Sequence, residues 1–376
     1  MEAAEVTEAA FWSGRMSRVI TPPRLEEAGA DLQRLLPDEG TVVFASSGSA
    51  GPPKWISLRR EALLVSAEAV NRHLEVMSGD RWMLALPLFL VGGCGVAARA
   101  YAGGCALRRL AGRWNAMRFV EELDESDATL TSLVPTQVLD LVACKLRPPE
   151  ALRAVVVGGA RLDDLAGQAA RDLGWPVLQS YGLTEAASQV ATGRVQNLAS
   201  EFRSAPLPFL PIWEHRVGNA GCLELRGEAL FDAYLRVEDN RLVVEQPFDG
   251  EGWFATGDVV ELSPEGVTAV GRADRQVKVL GEAVDVQFME EELRGQLLPE
   301  SGVHILTIED ARRGWRLIPV IEQGGPEAED VIGLFNQRLP GFARLEPPRY
   351  VGALPRTPLG KIDVAALREE FGLPER

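Results

Sequence analysis

Four runs of consecutive apolar and β-branched residues, "TVVFASS", "RWMLALPLF", "ATLTSLVP" and "LRAVVVGG", punctuate the first half of the chain, and "REALLVSAEAVNRHLEVM" between the first two has helical spacing. Uninterrupted runs of this length, bounded by Gly, Pro and polar turns, are strands buried on both faces. Interleaved with helices, they constrain the chain to an α/β domain with a largely parallel sheet. At 376 residues the chain also exceeds one ordinary core, so a large domain is expected beside a smaller one.

From about Gly218 the texture changes. "GNAGCLELRGEALFDAYL" and "RLVVEQPFDGEGWFATGDVVELSPEGVTAVGR" alternate apolar and polar residues between turn formers, as antiparallel strands do. Beyond Asp274 a helix ("VQFMEEELRGQLL"), two strands ("VHILTI", "RLIPVIE") and another helix ("EDVIGLFNQRL") fit a small α+β unit.

Against 39 Lys and Arg stand 54 Asp and Glu, a net charge of −15. Binding to a nucleic-acid backbone is disfavoured, and an anionic ligand must be met by local cations. Cys94, Cys105, Cys144 and Cys222 show no CxxC spacing and no neighbouring His, and read as buried free thiols of a reducing compartment. The opening "MEAAEVTEAAFWSGRM" is acidic and lacks the basic-then-apolar order of a secretion signal. The longest uncharged stretch, Trp82 to Ala98, contains Pro87 and three glycines and falls short of a membrane span. A soluble cytoplasmic protein is expected.

The segment "FASSGSAGPPK", Phe44 to Lys54, fits both an ordinary turn and a phosphate cradle of Ser hydroxyls, Gly N–H groups and a lysine. "WISL" after Lys54 reads as a strand, which makes the segment a hairpin tip. A Walker loop is excluded, because Gly48 and Gly51 are too close and Trp55 follows Lys54. In "GGCGVAA", Gly93, Gly95 and Ala98 match G-x-G-x-x-A, but no acidic residue stands about twenty residues further on, so close helix packing is the better reading. "YGLTEAAS" sets Tyr181, Thr184 and Glu185 where a strand end meets a loop: a ring to stack on a purine, a hydroxyl for phosphate, a carboxylate for magnesium. "GWFATGDVVEL" places Asp258 in a turn, as an acceptor pair for two ribose hydroxyls. "GRADRQVKVLGEAV" joins Arg272 and Asp274 to a Lys- and Gly-bearing loop, and "LPRTPLGKID" sets Lys361 on a Pro/Gly-framed loop. Taken singly, each also fits a cap, a turn or a solvated lysine.

In this order, from about residue 41 to about residue 370, the five motifs resemble the signature series of the adenylate-forming acyl-CoA synthetases, the group that includes luciferases and peptide-synthetase adenylation domains. The resemblance implies a large N-terminal α/β domain with a β-rich subdomain, residues 1–273, and a small mobile α+β domain, residues 274–376, hinged near Asp274. It implies that a carboxylate attacks the α-phosphorus of ATP to give an acyl-adenylate, from which the thiol of coenzyme A displaces AMP. Ser46, Ser47, Gly48, Ser49, Gly51 and Lys54 would cradle phosphates. Thr184 would touch phosphate and Glu185 would hold Mg²⁺. Gly158, Gly159, Ala160 and Tyr181 would line the adenine slot, Gly182 would also contact ATP, and Asp258 with Arg272 would grip the ribose. Lys361 would bridge the two reacting anions, and the loop with Lys278 and Gly281 would serve the thiol channel.

The chain departs from the family pattern at Ala50, Trp55, Val286 and Phe288, and at Leu90, where many acyl-CoA ligases carry His. A stretch of about forty residues precedes the phosphate loop, so a reduced N-terminal subdomain is expected. Within the family, "TEAASQVAT" and "TSLVPTQV" most resemble the subgroup that ligates o-succinylbenzoate to CoA in menaquinone biosynthesis. Leu90, Gly92, Gly93, Val134, Thr136, Ser188 and Gln189 are then the expected acyl-pocket walls. Ligation of another aryl or fatty acid, and nucleotide binding without catalysis, are the alternatives; a monomer or a homodimer fits equally. His73, His215 and His304 fall outside every motif.

Overall fold

The computed structural model describes residues 6, 8–45, 54–280, 282–297, 302–310, 312–322, 326–356 and 362–373. Ser46, Ser47, Gly48, Ser49, Gly51, Gly281 and Lys361 lie outside the described residues, as do the side chains of Asp274 and Lys278.

The four apolar runs do form strands. Ala106–Arg109, Arg81–Leu84, Leu130–Leu133, Ala154–Val157 and Val177–Tyr181 lie side by side in that order, all parallel, with the short strand Ala191–Thr192 antiparallel at the edge. Successive residues serve opposite faces, as a strand's period of two requires. Trp82, Leu84, Val156 and Leu178 enter one core, covered by the helices Arg60–His73 and Val91–Ala102. Met83, Val155, Val157 and Val177 enter the other, covered by Ala116–Glu125, Pro135–Ala143 and Asp164–Asp172. Such a double covering is why these runs carry no polar alternation. It also leaves the carboxyl ends of the strands, at Leu84, Leu133, Val157 and Tyr181, as the place where loops can converge on a ligand.

A second sheet has the order Arg18–Ile20, Thr41–Ala45, Trp55–Arg59, Ala233–Glu238 and Arg241–Glu245. Thr41–Ala45 and Trp55–Arg59 are antiparallel, with Ala45 opposite Trp55, so the Ser/Gly segment does join the two arms of a hairpin. A third, antiparallel sheet contains Glu214–Val217, Cys222–Arg226, Phe254–Ser263 and Gly266–Arg272.

Three expectations need correction. Asp258 lies within the strand Phe254–Ser263, not in a turn; Gly257, at φ +75, bends the strand there and gives the local sequence its turn-like look. Lys278 belongs to the strand Gln276–Val279, paired with Glu282–Asp285, rather than to the hairpin's loop. Of the cysteines only Cys94 is buried; Cys105 and Cys222 are half-buried and Cys144 is exposed at a helix end. Among the described residues no helix is long and apolar enough to cross a membrane.

After Arg272 the chain passes through the short turn Ala273–Arg275 into the C-terminal elements, where the helix Val286–Arg294 packs on the sheet of Val303–Asp310, Gly314–Glu322 and Arg349–Val351. Two arginines flank the turn. Arg272 pairs with Asp258 on the upstream sheet, and Arg275 pairs with Glu290 on the Val286–Arg294 helix. Glu290 is 7% exposed and also meets His304 Nδ1 at 2.9 Å, although the other ring nitrogen of His304 is buried without a partner. Burial first, then the positive charges of Arg275 and Arg294, push the His304 pKa down to about 3. A histidine freed by unfolding takes up a proton below its ordinary value of 6.5, whereas the buried ring stays neutral until pH 3 is approached. The contribution of His304 to folding stability is therefore complete above pH 6.5 and falls as pH drops toward 3, by up to about 1.4 kcal/mol per unit. Urea unfolding at pH 7 and pH 5 is expected to show that loss in the native chain and a smaller one in His304→Leu.

Candidate active site

Tyr181 ends the last parallel strand, and its hydroxyl donates to Asp258 Oδ2 at 2.6 Å. Arg272 stands opposite Asp258 in the antiparallel register and donates from Nη1 to Oδ1 at 2.9 Å. The Asp258 carboxylate is thus fixed from both sides while its side chain stays 15% exposed. Each carboxylate oxygen has a lone pair to spare, which suits a vicinal diol. Burial and then the Asp258 charge push the Tyr181 phenol far above its usual range, so it stays a proton donor.

One loop away, Thr184 and Glu185 lie on the single 3₁₀ turn Thr184–Ala186. Close approach of the backbone shapes this loop: a Cβ on Gly182 would stand 1.6 Å from the Ser188 carbonyl oxygen, and Ala187 and Ser188 take φ of +48 and +105. Non-glycine residues held in that region mark a segment over-determined by its surroundings. The Glu185 carbonyl accepts from the Phe231 amide at 2.8 Å, and its side-chain Oε1 accepts from the Tyr234 hydroxyl at 2.9 Å. On the ring of the same tyrosine sits Lys54 Nζ, 3.3 Å from the centroid.

Between these two centres and the neighbouring strand runs Gly158–Gly159–Ala160. Gln179 holds it from below, donating to the carbonyls of Val157 and Ala160 and accepting from the Leu162 amide at 2.8 Å. Ser180 Oγ would lie 3.0 Å from a Cβ on Gly158, and Gly159 has φ +81. The small residues leave the backbone of this segment uncovered, with Gly159 and Ala160 exposed.

The Val91–Ala102 helix borders the same strand ends. A Cβ on Gly93 would meet the Pro87 carbonyl oxygen at 2.1 Å, so this glycine seats the helix against the loop after Arg81–Leu84, the packing role expected of "GGCG". Inside the helix Arg99 is 2% exposed; its guanidinium reaches Ser132 Oγ at 3.2 Å and Ser188 Oγ at 3.3 Å, with Nε buried and unpartnered. Among the described residues no carboxylate pairs with it. Burial lowers its pKa to about 10, so the charge remains at neutral pH. The side-chain amide of Gln189, beside Ser188 and 3% exposed, has neither its nitrogen nor its oxygen satisfied among the described residues. Buried polar groups left unpaired in this way are costly and are expected where a ligand or ordered water completes them.

Residues 5–232 match the family model described as AMP-binding enzyme. The chain belongs to that family. The 2-succinylbenzoate–CoA ligase of Escherichia coli K12 is 30% identical over 328 residues, covering 86% of this chain and 67% of the relative. That of Salmonella typhimurium is 32% identical over 289 residues, covering 76% and 58%. The chain thus spans a little over half to about two thirds of these relatives. Among solved structures, the E. coli enzyme MenE with a bound analogue of OSB-AMS aligns at TM-score 0.66 and 26% identity, over 88% of this chain and 69% of that one. O-succinylbenzoate coenzyme A synthetase of Bacillus subtilis, in complex with ATP and magnesium ion, aligns at TM-score 0.74 over 98% of this chain and 82% of its own; at 21% identity the likeness is one of fold.

In this AMP-binding enzyme, residues from four separated motifs form two clusters beyond the carboxyl end of Val177–Tyr181: Tyr181 with Asp258 and Arg272, and, across Tyr234, Lys54 with Glu185. Leu90, Gly92 and Gly93 open the Val91–Ala102 helix, and Ser188 reaches that helix at Gly95 and Arg99. Val134 borders Gly159, 3.4 Å from a Cβ placed there, whereas Thr136 lies exposed in the first turn of the next helix. Sequence reasoning passed over Arg99, Gln179 and Tyr234. Arg99 left a signal, being the one charge in the otherwise uncharged helix "VGGCGVAARAYA"; Tyr234 left none.

Proposed function

We propose that the chain is an ATP-dependent carboxylate–CoA ligase that works through an acyl-adenylate, and that its acid is an aromatic dicarboxylate of the o-succinylbenzoate class. The observation that carries the reading is the convergence, beyond the carboxyl end of Val177–Tyr181, of an Asp258–Tyr181–Arg272 diol clamp with a separate lysine and carboxylate, Lys54 and Glu185. Asp258 binds the ribose hydroxyls, and the Gly158–Ala160 segment takes the adenine. A single half-buried carboxylate suits Mg²⁺, which takes one or two protein carboxylates and completes its shell with phosphates and water. Bound there, the ion supplies positive charge beside the phosphates. Lys54 adds a second cation, so two anions can approach despite the net negative charge of the protein. Arg99, with Ser188 and Gln189, supports recognition of a second carboxylate on the acid, a group that a fatty acid or benzoate lacks.

Residues 1–273 form the adenylating part and 274–376 a terminal lobe that brings Lys361 to the reacting atoms and, turning near Asp274, exchanges it for the Lys278–Gly281 segment when CoA reacts. Lys361→Ala is expected to lose adenylation by at least about 10²-fold, yet still convert synthetic acyl-adenylate with CoA; equal loss of both half-reactions refutes that role. The reading as a whole is tested by pyrophosphate release with o-succinylbenzoate against benzoate, medium-chain fatty acids and amino acids. A response to any of the others in preference to o-succinylbenzoate overturns the acid assignment, and no response to any acid overturns the ligase.

A further inference from the structure

Tyr234 takes no part in the diol clamp or in the acid pocket, yet it touches two charged groups of the phosphate region. It sits in the strand Ala233–Glu238, which pairs antiparallel with Trp55–Arg59 so that Leu235 faces Trp55 and Tyr234 faces Ile56. Lys54 lies two residues before Ile56 and so shares its face, and Lys54 Nζ reaches back over the tyrosine ring, 3.3 Å from its centroid. At its other end the hydroxyl donates to Glu185 Oε1 at 2.9 Å. The ring is wedged against Phe231, with centroids 4.7 Å apart, and the residue is 8% exposed, so it has little freedom to follow either partner. Among the described residues no ion pair joins Lys54 to Glu185; the tyrosine stands between them.

We propose that Tyr234 is a positioning residue that keeps the Lys54 ammonium and the Glu185 carboxylate apart, holding the first on its ring face and orienting the second through its hydroxyl. Without it the two groups would neutralise each other, and an incoming metal–nucleotide would have to break that pair. A cation resting on a ring gives up less when it transfers to a phosphate oxygen than one leaving a carboxylate. The hydroxyl engages Oε1 alone, and among the described residues no hydrogen bond engages Glu185 Oε2, which leaves that oxygen for a metal ion.

The inference rests on the proposed roles of Lys54 and Glu185, so its test reads binding rather than turnover. Mn²⁺ bound to the full chain saturated with ATP, corrected for the Mn²⁺ held by free ATP, is counted from the free-ion signal in electron paramagnetic resonance, and metal-free ATP binding is measured by calorimetry. Tyr234→Phe keeps the ring and loses the hydroxyl; it is expected to weaken Mn²⁺ binding roughly tenfold and leave metal-free ATP binding unchanged, as loss of an outer partner of a metal ligand does. Tyr234→Leu loses both contacts and is expected to weaken both. Lys54→Met, with Tyr234 intact, is expected to weaken ATP and spare Mn²⁺. Native Mn²⁺ affinity in a folded Tyr234→Phe, or equal losses of both ligands in Phe and Leu variants, overturns the positioning role. Absence of both ATP and Mn²⁺ binding in the unaltered chain would instead strike at the functional reading beneath it.

Discussion

Replacing Arg99 by methionine is expected to raise KM for o-succinylbenzoate by about two to three orders of magnitude while KM for ATP stays within about twofold. The guanidinium is 2% exposed, lies over the Trp82 ring and, among the described residues, hydrogen-bonds to two hydroxyls, Ser132 at 3.2 Å and Ser188 at 3.3 Å, where a buried cation would ordinarily find a carboxylate. A dicarboxylic substrate supplies the missing anion in a dry setting, where a charge-assisted, bidentate contact is at its strongest. Methionine approximates the length of the side chain and removes the buried charge. The fold is therefore expected to keep or gain stability, since exchanging a buried charge for an apolar side chain is often neutral or favourable. That combination separates recognition from damage: KM for the acid rises while the thermal midpoint does not fall. Benzoate, if it reacts at all, should be indifferent to the change. Loss of affinity for ATP and benzoate together would show that Arg99 only braces the fold.

The second large effect is expected at Asp258. Asp258→Ala strips Tyr181 and Arg272 of the acceptor they share and should raise KM for ATP by about 10²- to 10³-fold, the scale of losing a charge-assisted pair of contacts in a partly enclosed site. The decisive comparison uses 2′-deoxy-ATP. The unaltered chain should prefer ATP clearly, because one of the two hydroxyl contacts is missing from the deoxynucleotide. The variant should treat the two nucleotides alike. A variant that still discriminates would move the ribose away from Asp258.

Much of the fold could be read from local pattern. Leu130–Leu133 and Ala154–Val157 are buried along their whole length, so the same apolar run announces strand and double covering at once. The residues proposed for nucleotide binding could be grouped because they lie in short motifs whose order survives even where the contacts are long-range: Tyr181 and Asp258 meet from 77 positions apart. Tyr234 had no such cue. Its neighbours alternate as in any half-exposed strand, and its importance comes from pairing with the strand after Lys54 and from Glu185, 49 positions away. Arg99 was hidden for another reason. A lone arginine in an apolar helix most often reaches past the helix edge to water, and only the tertiary structure shows that this one is enclosed. Asp258 was recognised as an acceptor but assigned to a turn, because Gly257 imitates turn chemistry inside a strand.

The connection between the two parts of the molecule carries one more implication. Arg272 is fastened upstream to Asp258, and Arg275 downstream to Glu290, which leaves Ala273 and Asp274 as the backbone between two moorings. Any swing of the downstream part made there would be governed by the six backbone torsions between the Cα atoms of Arg272 and Arg275. Its axis could not wander along the chain, and its resting points would be as few as the sterically allowed combinations of those angles. A protein built this way would change posture by switching, with little room for gradual drift.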